Sequence, residues 1–108
     1  MAVELQQAQH RLIANLKGEI DHHSAKGMRE SIDRAVTGGA PKELELNFSG
    51  VGFMDSSGIG LVMGRYKLIR QYGGKLYLSG LSPQLQRVMK LSGVDRLAVI
   101  EQTGQRRG

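Results

Sequence analysis

The 108-residue chain contains no cysteine and no tryptophan, two prolines, two phenylalanines and three tyrosines. Without cysteine it can build neither a disulfide framework nor a thiolate metal site. So few aromatic side chains supply no stacking platform for unpaired bases. No apolar run approaches the roughly 20 residues that a membrane-crossing helix needs. The opening "MAVELQQAQHRL" lacks a basic segment followed by an apolar one, so no secretory signal is expected there. Together these absences predict a cytoplasmic protein that engages no membrane.

What is present is ordinary for a globular domain: 40% hydrophobic and 23% charged residues in a length suited to one core. We expect a single domain over residues 1–108. The net charge of +5 raises the question of nucleic acid, because basic surfaces collect phosphates. The basic residues are spread along the chain, however, with local runs only at Arg65, Lys67 and Arg70 and at Arg106–Arg107. No nucleic-acid reader motif accompanies them. A solvated basic face, suited to an acidic protein partner, is the expectation, with no direct nucleic-acid contact.

Strands alternate with helices. "VELQQA" and "RLIANLKG" predict a hairpin turning at Gln9–His10. In "ELELNF", Leu44, Leu46 and Phe48 alternate with Glu45 and Asn47, giving one apolar face and one that tolerates water. "KLYLSG" and "RLAVIE" supply two further strands.

Three helices lie between them. Met28, Ile32, Ala35 and Val36 form a helical stripe in residues 24–39, with Ser24 as the expected cap and Gly38–Gly39 as the stop. Residues 57–74 carry an apolar face of Ile59, Val62, Met63, Tyr66 and Ile69, with Leu61 and Leu68, ended by Gly73–Gly74. Gly60 and Gly64 share one face of that helix and are expected to let it approach the sheet closely. The third helix opens with Ser82 and Pro83 and closes at Gly93. The fold class is therefore α/β: a small mixed sheet, with helices packed mainly on one face.

The stretch "MDSSGIG", Met54 to Gly60, sets two serines between an acid and a glycine-rich helix entry. An N-cap needs only one of those three polar side chains, Asp55 or Ser56, which leaves a hydroxyl spare. A serine nucleophile would need a base and an orienting acid. The G-x-S-x-G elbow is absent, and histidine occurs only at positions 10, 22 and 23. "GIGLVMG" is one residue longer than the dinucleotide fingerprint, and no Walker-type loop occurs. His22 and His23 are adjacent, a poor arrangement for one metal, and are expected at the surface. No catalytic or metal-binding residues and no cofactor are assigned.

The remaining option is modification of the serine. "LKGEIDHHSA" at residues 16–25 and "LELNFSGVGFMDSSGIGLVMGRYK" at 44–67 together resemble the anti-sigma-factor antagonists of the STAS-domain family, the sporulation type above all. The likeness runs from the first strand to "MKLSGVDRLAVI", and neither the G-E-[IL]-D nor the M-D-S-S-G element departs from the family. It implies a partner-switching regulator without catalysis of its own. The unphosphorylated form would bind an anti-sigma factor that is also a serine kinase, with its bound nucleotide, and so free a sigma factor. Phosphorylation of Ser57 would inactivate it, and a serine phosphatase would restore it. Asp21, Asp55, Ser56 and Gly58 would form the partner-binding surface, with Asp21 in an exposed turn on an acidic rim. An alternative within the family is a scaffold of a stress-response signalling complex.

Overall fold

The computed structural model describes residues 2–101. Five strands form one sheet in the order β1 (Val3–Ala8), β2 (Arg11–Ile20), β3 (Glu43–Met54), β4 (Lys75–Ser79), β5 (Val99–Ile100). The first pair is antiparallel and the rest are parallel. Among the described residues the hairpin is therefore the only place where neighbouring strands join by a tight turn, at Gln9 with φ 55°. Each parallel step needs a crossover, and the helices supply them: α1 (His22–Gly39), α2 (Ser56–Gln71) and α3 (Pro83–Ser92). A short 3-10 turn, Val94–Arg96, follows α3.

The core lies between one face of the sheet and the helices. Leu12, Ala14 and Leu16 of β2, Leu44, Leu46 and Phe48 of β3, and Leu76 and Leu78 of β4 meet Met28, Ile32 and Val36 of α1. Leu61, Val62 and Ile69 of α2 and Leu85 and Met89 of α3 complete it. The mixed sheet with helices on one side is the architecture expected. Among the described residues no helix is long and apolar enough to cross a membrane. The basic pair at 106–107 lies outside the described residues.

Several expectations need correction. The α1 stop is Ala40, left-handed at φ 43°, and not Gly38–Gly39. Glycine can stay helical where burial of Val36 holds the turn together, whereas Pro41 disfavours helical backbone in the residue before it. The last strand keeps only Val99–Ile100, because backbone bonds from Leu97 and Ala98 to Val94 hold the preceding residues in a turn. On α2, Arg65 is buried among Leu61, Val62 and Ile69, while Ile59, Met63, Tyr66 and Leu68 sit half-buried at the margin. Its guanidinium meets Asp33 of α1, with Nε 2.8 Å from Oδ1, so it is no part of a basic surface.

The far face of the sheet is less open to water than alternation suggested. Glu45 is only 5% exposed. Arg11 closes over it, contacting Glu45 and Glu43 at 2.9 Å and Glu101 at 3.2 Å, and lies 4.0 Å from the Tyr77 ring centre. Ser79 donates to the other Glu45 oxygen. Burial disfavours the charged guanidinium, but hydrogen bonds to Glu45, Glu43 and Glu101 outweigh it and raise the Arg11 pKa.

Candidate functional site

The site sits where β2 and β3 end side by side. Their pairing is interrupted twice, between Asn15 and Lys17 and between Gly18 and Glu19 of β2, and each time β3 carries an extra residue. Gly18, at φ 86°, provides the left-handed backbone at the second interruption. The register then recovers, so that Ile20 pairs with Met54 as the last rung. The next residues, Asp21 and Asp55, leave the sheet together, and the Asp55 N–H donates to the Ile20 carbonyl at 3.0 Å.

Both acids are helix caps. Asp21 Oδ1 accepts from the N–H groups of His23 at 3.0 Å and Ser24 at 2.9 Å. Ser24 Oγ accepts in return from the Asp21 N–H at 3.0 Å, completing a capping box. Ser24 was the expected cap; it is instead the third residue of α1, because Asp21 follows the strand directly in extended geometry. The N–H of Ser24, ahead of that of His23, holds the Asp21 carboxyl below the usual carboxylate range, although desolvation opposes the shift. Asp55 Oδ1 accepts from the Ser57 N–H at 2.8 Å and caps α2.

With Asp55 as the cap, neither Ser56 nor Ser57 spends its hydroxyl on a hydrogen bond among the described residues. Capping therefore does not distinguish the two serines; position does. Ser56, the first helical residue, is exposed, and Ser57, the second, is half-buried. Gly58 is buried, and a Cβ there would fall on Met54 Cγ and Sδ. It shapes the turn from beneath and presents no surface of its own.

Ser57 lines a groove of about 410 Å³ between α1 and α2. The α1 wall carries His22, Lys26 and Arg29, and the α2 wall carries Gly60, Leu61, Gly64 and Arg65. A Cβ added at Gly60 or Gly64 would meet nothing within 4 Å, so these glycines border the groove and do not bring α2 closer to the sheet. The surroundings of Ser57 are mixed: acids at the sheet edge, cations in the groove. The expected acidic rim describes only the first half. A hollow of about 550 Å³ near the end of α2, between Tyr66, Leu76 and Val99, contains neither serine nor carboxylate.

Sequence reading missed the cationic wall, although the spacing of 22, 26 and 29 puts its residues on one helical stripe. The parts of a hydrolase do not assemble around Ser57. His22 lines the same groove, but no hydrogen bond joins it to the serine, and its ring lies tilted against that of His23 with centres 4.1 Å apart. His10 lies exposed at the hairpin turn, at the far end of β2. Among the described residues no group of three or more His, Asp or Glu is arranged to hold a metal ion.

The model of the STAS domain family matches residues 2–106. The chain is a STAS-domain protein. It is 35% identical over 102 residues to the anti-sigma F factor antagonist of Paenibacillus polymyxa, covering 93% of this chain and 87% of that one. The fold agrees: the unphosphorylated anti-sigma factor antagonist SpoIIAA superposes with a TM-score of 0.81 at 31% identity, covering 96% of this STAS chain and 91% of the other. The phosphorylated Bacillus cell-fate determinant SpoIIAA superposes at 0.74, again at 31% identity, over 96% and 95% of the two chains. STAS proteins of this antagonist group are regulatory binding domains and not enzymes.

Proposed function

We propose that this STAS protein is an anti-sigma factor antagonist gated by phosphorylation of Ser57. Its unphosphorylated form binds an anti-sigma factor that is also a serine kinase and thereby frees a sigma factor of the sporulation type. The kinase transfers the γ-phosphoryl group of its ATP to Ser57 Oγ, ADP leaves, and the hydroxyl proton passes to the kinase or solvent. A serine phosphatase hydrolyses the ester and restores the active form. The observation that carries the reading is the place of Ser57: on the first turn of α2 it lines the groove between α1 and α2, and its hydroxyl, like that of Ser56, is not taken up by the Asp55 cap. The relatedness to antagonists whose fold exists in phosphorylated and unphosphorylated forms supports the same reading.

A helix start tolerates a dianion, because its N–H groups and dipole favour negative charge. A partner that docks against Asp21, Asp55 and exposed Ser56 with a bound nucleotide does not. Loss of roughly 3–4 kcal/mol of binding lowers affinity several-hundred-fold, enough to switch it off. Gly58 contributes by holding the turn over Met54.

The test is phosphorylation by the partner kinase with ATP, followed by site mapping. One phosphate is expected, on Ser57. Ser57→Ala should bind the kinase, resist modification and keep the sigma factor released in a transcription assay, while Ser56→Ala is still modified. Phosphate on Ser56 or on Ser82 overturns the assignment.

A further inference from the structure

We infer that the groove between α1 and α2 is a receiving site for a phosphomonoester carried by Ser57 of the same chain, with Lys26 and Arg29 as its cations. This rests on Ser57 being the modified residue, and it adds where the phosphoryl group goes. Ser57 already forms part of the lining, so a phosphate on its oxygen starts inside or at the mouth of the groove. No association entropy opposes its capture, unlike that of a free anion.

Charge selects the occupant. His22, Lys26 and Arg29 project from one stripe of α1, and no carboxylate lines the groove. Asp33, one turn beyond Arg29 on α1, is engaged by the buried Arg65. Lys26 and Arg29 are exposed and form no ion pair with any described carboxylate. Arg29 offers a planar fork and Lys26 a compact charge, the two modes by which phosphate oxygens are held.

The glycines supply space. Glycine is a poor residue for a helix interior, and packing does not demand it at 60 or 64, where a Cβ meets nothing within 4 Å. Their effect is to leave the α2 wall bare at those two positions, beside Leu61 and Arg65. Asp21 and Asp55 oppose a dianion from the sheet edge, so the α1 cations decide how well it is held. Phosphorylation then ties the first turns of α1 and α2 together. It also withdraws a hydroxyl and two cations from the surface at once, which adds to charge repulsion as a means of dismissing a partner.

The experiment installs phosphoserine at position 57 during translation, so that no kinase is required, and follows the phosphate by phosphorus NMR through a pH titration. In the wild-type background its second ionisation should fall by on the order of one unit below the ordinary value near 6. In the Lys26→Ala/Arg29→Ala double variant, whose surface substitutions leave the core intact, it should return towards that value. Phosphorylated protein should also melt above unmodified protein, by a margin that shrinks in the double variant. An identical phosphate titration in both backgrounds overturns the inference. So does saturable binding of inorganic phosphate by the unmodified protein together with an ordinary phosphoserine titration, which would make the groove a site for free anions. Failure of a kinase to modify Ser57 refutes the proposed function and leaves the titration result unaffected.

Discussion

Asp21 and Asp55 stand one residue beyond the same rung of the sheet, Ile20 paired with Met54, and each closes the first turn of the helix that follows it. Two crossovers therefore begin at one point on the sheet edge. The acids that a partner would meet are the same acids that start the helices. Loss of either removes a helix cap as well as an acid of the sheet edge, so Asp21, expected in an exposed turn, also contributes to stability.

Asp55→Ala should destabilise the protein by about 1 kcal/mol, through loss of the acceptor for the Ser57 N–H. Asp55→Asn keeps an acceptor and should lose less. Urea midpoints at neutral pH measure the difference. Equal midpoints for Asp55→Ala and wild type would show that α2 starts without its cap.

The Asp21 cap gives a pH dependence of definite sign. Its folded pKa is depressed, chiefly by the Ser24 N–H, so the native state binds this proton less readily than the unfolded chain. The stabilisation is complete above the unfolded carboxylate value near 3.9. It disappears as pH falls through the lower folded value. The stability advantage of wild type over Asp21→Asn should hold at neutral pH and shrink on acidification through that window. A constant difference from pH 6 to pH 2 would exclude Asp21 as the titrating cap.

Arg65 and Asp33 should respond asymmetrically. The Arg65 side chain is 7% exposed and that of Asp33 is 36% exposed. Burial lowers the Arg65 pKa, with Asp33 acting in the opposite direction. Asp33→Ala strands a buried cation and should cost about 2–3 kcal/mol, below the 3–5 of a wholly buried pair because water reaches the acid. Arg65→Met leaves a carboxylate able to turn to solvent and should cost less, and the double variant should recover part of the Asp33→Ala loss. A double-mutant cycle with no coupling would refute the pairing.

The glycines of α2 should separate into two kinds. Gly58→Ala drives a methyl group into Met54 and should destabilise by about 1–3 kcal/mol. Gly60→Ala and Gly64→Ala point into open groove and should be neutral or stabilising by up to about 1 kcal/mol. Thermal unfolding of the three variants decides this. A destabilised Gly60→Ala would mean that the groove is closed in solution.

The sequence by itself determined the order and type of the elements and singled out the serine pair at the start of α2. Period-two alternation in 44–48 and the helical stripe of Met28, Ile32 and Val36 are local signals, since each follows from which face of one segment must leave water. Ser82 with Pro83 marked the start of α3 for the same reason: a cap is completed within a few residues. Only the tertiary structure decided which acid capped α1, where α1 ended, and what Arg65 and Glu45 were doing. Arg65 reads as surface charge until Asp33, 32 residues earlier, is brought against it. Glu45 reads as solvent-facing until Arg11 from the neighbouring strand folds over it. The cationic wall opposite Ser57 has the same origin, because its residues lie on α1 and the serine on α2. A charge's environment is set by the elements packed against it, and sequence order records only its neighbours along the chain.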